Sequence, residues 1–267
     1  MAVDRLIRLH QRHQHWREAS APDARPEVLL ASLNQQDPSL RLVPDTQPVT
    51  TLAHWQVSGQ LNQAIQARCH HLTTDPATAC SLWLKLFNAH LMPSLTMMLL
   101  VHGQVPVLTA ERLGVELDEQ GNLQRLTLLP GLWLNAAEVG WDAVLKQFGD
   151  NLDRLLTPLQ NWGRNDFRLA KSVFWGNLAF ALSMGPAKLH HDADEALAED
   201  LQEFIDTLPV PSQKKVRLQA SEGRLMQKRA TCCLKYNVPG RALCGTCCLD
   251  KPPRSTQRLY LPQEPTA

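Results

Sequence analysis

The sequence lacks several patterns that would assign it to a familiar functional class. It has no glycine-rich phosphate loop, so no nicotinamide or flavin fingerprint is present. It also has no internal repeat and no low-complexity tract. The N-terminal stretch MAVDRLIRLHQRHQHW has no apolar signal-peptide core, and the longest nearly apolar run, 91–101, is too short to span a bilayer. These absences predict a globular, cytoplasmic protein without a transmembrane segment.

Composition and charge divide the chain unevenly. With 267 residues, of which 44% are hydrophobic and 20% charged, it can bury a full core as one large domain with a small appendage. Residues 211–258 hold eleven Lys and Arg against two acids, a net charge of +9. The rest of the chain has sixteen basic and twenty-four acidic residues, a net charge of −8. The basic stretch is therefore a separate electrostatic region.

Hydrophobic periodicity predicts an α+β protein with a mainly helical body. Apolar residues at helical spacing occur in seven stretches, which are 3–19, 26–36, 51–72, 75–103, 141–159, 166–182 and 192–208. Asp75 is suited to cap the fourth of these helices, and Pro76 suits its first turn. Short alternating runs predict a small β element at about 104–135, with DEQGN as a hairpin turn.

The pattern also predicts two domains. Residues 1–208 form the helical body with its small β element. Residues 209–267 begin with a hairpin, in which VRLQ and RLMQKR pair over the turn SEG, and continue into a cysteine-rich segment. Five of the seven cysteines of the chain lie within the seventeen positions 232–248.

The spacing of these cysteines is suited to metal binding. Cys232 and Cys233 are adjacent, and ten residues separate them from the C-x2-C pair Cys244 and Cys247. A C-x2-C turn brings two thiolates together, whereas adjacent side chains in an extended strand diverge and are awkward ligands for one tetrahedral ion. A two-iron cluster relieves this difficulty because each iron takes two thiolates. Spacing alone leaves a four-cysteine zinc site open, and a cytoplasmic location disfavours disulfides.

The stretch KRATCCLKYNVPGRALCGTCCL resembles the C-terminal signature of the siderophore-iron reductases (FhuF-like ferric reductases), C-C-x10-C-x2-C. Upstream, SLWLKLFNAHLMPSL and VFWGNLAFAL are similar to segments of that family, in the same order, over roughly two-thirds of the chain. The resemblance implies a [2Fe–2S] cluster held by Cys232, Cys233, Cys244 and Cys247. Cys248 departs from the family pattern and leaves a fifth thiol beside the site.

The resemblance further implies an oxidoreductase that transfers one electron from the cluster to siderophore-bound Fe(III), so that iron is released in the cytoplasm. The expected partners are the ferric siderophore and a protein electron donor. No nucleic acid is expected, and peripheral association with the inner face of the membrane is left open. The alternative function is a zinc-stapled binding protein without redox activity, for a siderophore or another partner.

Basic residues near the cysteines would tune such a cluster. We expect Arg229, Lys235 and Arg241 to favour the reduced form, because reduction adds negative charge. We also expect backbone N–H donors to the sulfurs from the turn at Gly245. Cys69 and Cys80, which lie on apolar helices, are expected to be small core residues.

Overall fold

Helices make up most of the chain, as the periodicity predicts. The structure is a computed structural model that describes residues 2–13, 24–37, 40–45, 49–190 and 192–250. Its helices within these ranges are α1 (Ala2–Arg12), α2 (Pro26–Gln36), α3 (Leu52–Val57), α4 (Gln60–Leu72), α5 (Pro76–His102), α6 (Ala136–Val139), α7 (Trp141–Phe167), α8 (Lys171–Leu189) and α9 (Glu195–Thr207). The predicted α+β class with a mainly helical body is confirmed.

Seven short strands accompany the helices in the described residues. They are β1 (Leu42–Pro44), β2 (Gln104–Pro106), β3 (Leu113–Leu117), β4 (Leu123–Leu128), β5 (Trp133–Asn135), β6 (Val216–Ser221) and β7 (Arg224–Arg229). Strands β3 and β4 form the predicted antiparallel hairpin, and β2 pairs with β5. Strand β1 adds to β4 in parallel, a pairing that the sequence did not indicate because β1 has only three residues.

Helix α5 forms the centre of the core. Its N-terminus is capped as predicted, since the Asp75 carboxylate accepts a hydrogen bond from the Thr78 N–H at 2.9 Å and Pro76 occupies the first turn. Twenty of its 27 residues are buried. The helix is long and apolar enough to cross a membrane, but 83% of its most apolar window is buried inside the protein. Its apolar surface is therefore part of the hydrophobic core, and the helix packs mainly against α8.

Two helix boundaries differ from the prediction. The single helix expected over 51–72 is divided into α3 and α4 at Ser58 and Gly59, and Gly59 takes the left-handed conformation (φ 72°) that glycine adopts readily. Helix α7 continues through Pro158 to Phe167 instead of ending near residue 159, and α8 begins correspondingly later. The second half of the helix predicted over 3–19 lies outside the described residues.

The predicted C-terminal hairpin is present as β6 and β7. The strands pair in antiparallel register from Val216 opposite Arg229 to Ser221 opposite Arg224, with Glu222 and Gly223 in the turn. The hairpin lies against α8 and α9, and Val216, Leu218 and Leu225 belong to the same hydrophobic core as the helices. The hairpin is thus attached to the helical body by apolar contacts and carries the chain directly into the cysteines. Residues 251–267, at the end of the predicted second domain, lie outside the described part of the chain.

Candidate metal centre

The cysteine segment, defined here as residues 230–250, has little regular structure. It contains one 3₁₀ turn, Lys235–Asn237, and the C-x2-C turn, which is closed by a hydrogen bond from the Cys247 N–H to the Cys244 carbonyl at 3.0 Å. The Arg229 N–H at the end of β7 donates to the Thr246 carbonyl at 3.1 Å. This bond folds the segment back on itself, so the C-x2-C turn lies beside the adjacent cysteines.

The four cysteines of the motif come together in two pairs. The sulfurs of Cys232 and Cys247 are 4.0 Å apart, and those of Cys233 and Cys244 are 3.2 Å apart. Two thiolates on one tetrahedral metal, each at about 2.3 Å from it, lie about 3.8 Å apart. The Cys232–Cys247 pair is close to this spacing, and the Cys233–Cys244 pair is shorter. In the described parts of the chain no group of three or more His, Cys, Asp or Glu side chains is arranged to hold a single metal ion. An arrangement in pairs suits a two-iron centre, in which each iron takes two thiolates.

Each of the adjacent cysteines faces a different cysteine of the C-x2-C turn, but the Cys232 thiol also hydrogen-bonds to Cys233, so the expected divergence of the two side chains is incomplete. Leu234, which follows them, has a left-handed backbone (φ 64°), rare for a residue with a branched side chain. Its N–H donates to the Cys232 sulfur at 3.4 Å, and the Leu249 N–H donates to the Cys247 sulfur at the same distance. The sequence predicts N–H donors from the turn at Gly245. The hydrogen bonds described for these two sulfurs come instead from the residue two positions after each cysteine.

Lys85 is the side chain that connects α5 to the second pair. Its ammonium lies 3.6 Å from the sulfurs of both Cys233 and Cys244. Hydrogen bonds from Cys232 and Cys244 lower the pKa of the Cys233 thiol, and Lys85 lowers it further, against the opposing effect of burial. Because Cys232 and Cys244 donate these hydrogen bonds to Cys233, the pKa of each of their thiols is raised. Lys85 thus places a cation within reach of both sulfurs of this pair.

Sequence reasoning missed Lys85 because 148 residues separate it from Cys233. One signal was available. Lys85 is the single residue in α5 that is Lys, Arg, Asp or Glu, and the other 26 positions carry none of these charges. A lone charge in a buried helix needs a partner, because burying it without one costs several kcal/mol or more. The thiols provide that partner.

One face of α5 positions the cysteine segment. Thr78, Ser81 and Lys85 are spaced by three and four residues and therefore share a face of the helix. Asn237 donates a side-chain hydrogen bond to the Thr78 hydroxyl at 2.9 Å, and the Ser81 hydroxyl donates to the Cys233 carbonyl at 3.0 Å. Together with Lys85 these contacts hold the segment at three successive points along the helix.

Arg229 is a buried cation beside the thiols. It is 3% exposed, its guanidinium lies 3.8 Å from the centroid of the Phe180 ring, and it donates to the Asn177 side-chain oxygen at 2.8 Å. Burial lowers the pKa of Arg229, and the thiols of Cys233 and Cys244 are the largest of the opposing effects. Asn177 is itself buried and donates to the Ser81 carbonyl at 3.2 Å. The Trp-x-Asn segment of α8 thus orients Arg229 from inside the protein.

The remaining cysteines divide into buried and half-buried groups. Cys69 and Cys80 are buried in the hydrophobic core, which agrees with the prediction, and burial raises the pKa of both thiols. Cys248 is half-buried, and burial raises the pKa of its thiol as well.

Comparison with known proteins agrees with the cysteine spacing. No curated protein matches the chain. Residues 229–249 match the family model of the FhuF 2Fe-2S C-terminal domain. The matched residues run from Arg229 through all four cysteines of the motif, so the donor set that the structure assembles is the one contained in the match. The cysteine segment is therefore similar to the FhuF 2Fe-2S C-terminal domain, which supports a [2Fe–2S] cluster here and confirms, for residues 229–249, the predicted resemblance to the FhuF-like siderophore-iron reductases.

Proposed function

We propose that this protein is a ferric-siderophore reductase, which transfers one electron to siderophore-bound Fe(III) in the cytoplasm. The observation that supports this most directly is the pairing of four thiols, two by two, within the FhuF-type segment and against a fixed cation. A [2Fe–2S] cluster supplies one electron at a time, which is the stoichiometry that reduction of Fe(III) to Fe(II) requires.

The ligands in this proposal are Cys232 with Cys247 on one iron and Cys233 with Cys244 on the other. Cys233 is 1% exposed, whereas Cys232, Cys244 and Cys247 are half-buried. In a centre held by these residues, three of the four ligands are partly exposed to solvent. The centre would therefore lie close to the surface. Such a position suits an electron exit, because the oxidant is a soluble chelate that must approach the donor.

Nearby positive charge favours the reduced form. Lys85 contacts two of the proposed ligands, and the buried Arg229 acts on the same thiols with little solvent screening. Adding an electron increases the negative charge of the centre, so both cations raise its reduction potential. The N–H donors of Leu234 and Leu249 act in the same direction on the other two sulfurs.

The substrate chemistry follows from the hardness of the metal. Siderophores hold Fe(III) through hard oxygen donors, and Fe(II) carries less charge and binds such donors more weakly. In the proposed reaction Fe(III) gains one electron and becomes Fe(II), while the protein loses the electron that it previously received from a donor. With no glycine-rich nucleotide loop in the sequence, the donor in this proposal is a reduced electron-carrier protein.

Stopped-flow mixing of the chemically reduced protein with ferric siderophores tests the function without the natural donor. The visible absorbance should return to that of the oxidised protein as a chromogenic chelator traps one Fe(II) per protein. The same protein mixed with the matching Ga(III) complexes, which accept no electron under these conditions, is the control. A loaded, reduced protein that stays reduced in the presence of every ferric siderophore tested would contradict the proposal.

A further inference from the structure

A cleft of ≈ 270 Å³ lies between α4, α5 and the cysteine segment. Four of the nine residues that line it are cations, namely Arg68, Lys85, Lys235 and Arg241, and the other five are Leu, Ala or Val. We call it the basic cleft. One of its walls is Lys85, whose ammonium is 3.6 Å from the sulfurs of Cys233 and Cys244. A molecule in this cleft is therefore separated from the thiols by a single side chain.

The lining of the basic cleft contains four cations and no acid, and within the described residues none of the four forms a salt bridge. Two of them have an opposite charge or a thiol nearby, since Lys85 faces the sulfurs of Cys233 and Cys244 and the Asp118 carboxylate acts on Arg68. Lys235 and Arg241 supply the positive charge that is left for a ligand, and it raises the local concentration of anions.

Arg68 is the most buried of the four cations. It is only 9% exposed, and one of its terminal nitrogens donates to the Asn122 side-chain oxygen. This contact holds the guanidinium in place at the wall of the cleft.

A second cleft, of ≈ 750 Å³, adjoins the other side of the cysteine segment and the β6–β7 hairpin. Cys244 and Cys247 are among its lining residues. Its cations Arg217 and Lys228 are matched by Glu195 and Asp250, so we call it the neutral cleft. The neutral cleft is lined directly by two of the proposed ligands, whereas the basic cleft is separated from the thiols by Lys85. Charge distinguishes the two clefts, since the neutral cleft gives an anion no advantage.

We propose that the basic cleft binds the iron-bearing end of a ferric chelate that carries net negative charge. The identity of the ligand as a ferric chelate rests on the proposed function, and its charge rests on the cations of the cleft, above all Lys235 and Arg241. The volume is slightly below the roughly 300–1,000 Å³ of typical small-molecule sites, so the cleft holds the metal with its donor oxygens while the rest of a large chelate stays outside. Lys85 then contacts both the chelate and the thiols.

Binding can be measured apart from electron transfer with Ga(III), which has the charge of Fe(III). The probes are the Ga(III) complex of a hexadentate tris-catecholate, with charge −3, and that of a hexadentate tris-hydroxamate, which is neutral. Calorimetric titration of the full, cluster-loaded chain should show tighter binding of the anionic complex. A Lys235→Gln/Arg241→Gln variant should weaken that binding by about tenfold or more, since each cation lost removes a charge-assisted contact.

The matched control is Arg217→Gln/Lys228→Gln, which removes the same charge from two exposed positions in the neutral cleft. It should leave the dissociation constant of the anionic complex nearly unchanged. Equal weakening by both double variants would overturn the assignment of the cleft, and so would equal affinity of the wild-type protein for the two gallium complexes.

The same variants separate this inference from the proposed function. If the anionic gallium complex binds in the basic cleft but the corresponding Fe(III) complex is not reduced, the site stands and the reductase function fails. If the Fe(III) complex is reduced by Lys235→Gln/Arg241→Gln with unchanged rate and half-saturation, the function stands and the cleft assignment fails.

Discussion

Helices α5 and α8 bury apolar side chains against each other along much of their length, whereas the cysteine segment adds little to the hydrophobic core. The core includes the hairpin residues Val216, Leu218 and Leu225, and from the cysteine segment only Leu234 packs at its margin. The segment is held instead by single polar contacts from Thr78, Ser81 and Lys85, and by the loop closure at Arg229.

Apolar packing therefore folds the protein, whereas a few polar contacts determine the position of the thiols. Apolar burial is non-directional and scales with area, so it tolerates small shifts in geometry. Hydrogen bonds depend on distance and angle, and a few of them suffice to specify where four sulfurs lie. Variants in the core should therefore change stability, and variants at the contacts should change the metal centre.

Loss of a proposed ligand should give the largest effect. Serine at Cys232, Cys233, Cys244 or Cys247 should reduce the iron and sulfide content from two of each per chain to near zero, because one of the two irons would keep only one protein thiolate. Metal and sulfide analysis with visible absorbance measures this. Cys248→Ser is the control and should keep full content. A Cys247→Ser variant with full content would mean that Cys248 replaces Cys247 as a ligand.

Gly176→Ala, a change at a buried position of α8, should displace the start of the cysteine segment. A Cβ at this position of α8 would overlap the Thr231 hydroxyl oxygen and lie 3.0 Å from the Thr231 Cβ, so Thr231 must move just before the first cysteine. We expect destabilisation of about 1–3 kcal/mol together with reduced iron content. The control is Gly163→Ala in α7, whose added Cβ meets its nearest neighbours at an ordinary 3.4 Å. That variant should be neutral or stabilised by up to about 1 kcal/mol.

Thermal unfolding and iron analysis of both glycine variants measure these effects. Adding Thr231→Gly to Gly176→Ala removes the colliding side chain and should restore cluster content. Unchanged stability and content in Gly176→Ala alone would show that the contact with Thr231 does not position the segment.

Lys85→Met should change the potential and leave the fold intact. Without the ammonium next to Cys233 and Cys244, the reduced form loses a favourable charge interaction. The potential should fall by on the order of 60 mV, a tenfold change in the equilibrium constant of a one-electron couple. A redox titration followed by visible absorbance measures it. Lys85→Arg should stay near the wild-type value, and an unchanged potential in Lys85→Met would exclude the electrostatic role.

The smallest change is expected on removal of the cluster from the wild-type protein. Because nearly all core residues lie between Leu6 and Leu225, the helical body should fold without it. Circular dichroism of the apo-protein should keep most of the helical signal, and thermal unfolding should still show a cooperative transition. Global unfolding on cluster loss would make the cysteine segment part of the cooperative core and would remove the predicted boundary near residue 208.

Local signals in the sequence predicted much of the fold. Asp75 and Pro76 mark the start of α5, and DEQGN and SEG mark two hairpin turns, because these residues act through their own backbone neighbourhood. The glycine that divides α3 from α4 was overlooked because apolar periodicity continues across it. The parallel pairing of β1 with β4 depends on a long-range contact, for which a three-residue strand gives no local signal.

The same distinction between local signals and long-range contacts applies to the candidate site. The spacing of the four cysteines by itself limits the site to a zinc ion or an iron–sulfur cluster. The sequence also shows Cys248 as an extra thiol nearby. The partners of each thiol, and the roles of Lys85 and Arg68, depend on segments far apart in sequence. Charge counts identify a basic region but do not show that Arg229 faces the interior while Lys235 and Arg241 line a cleft.

The face of α5 formed by Thr78, Ser81 and Lys85 also fixes an order of events during synthesis. Lys85 is translated 148 residues before Cys233, which at about 5–20 residues per second is roughly 7–30 s. Helices α5 and α8, which carry the contacts that receive the cysteines, are therefore synthesised before the first motif thiol. The thiols can thus reach a surface that is already formed, and metal can be inserted as the last step of folding.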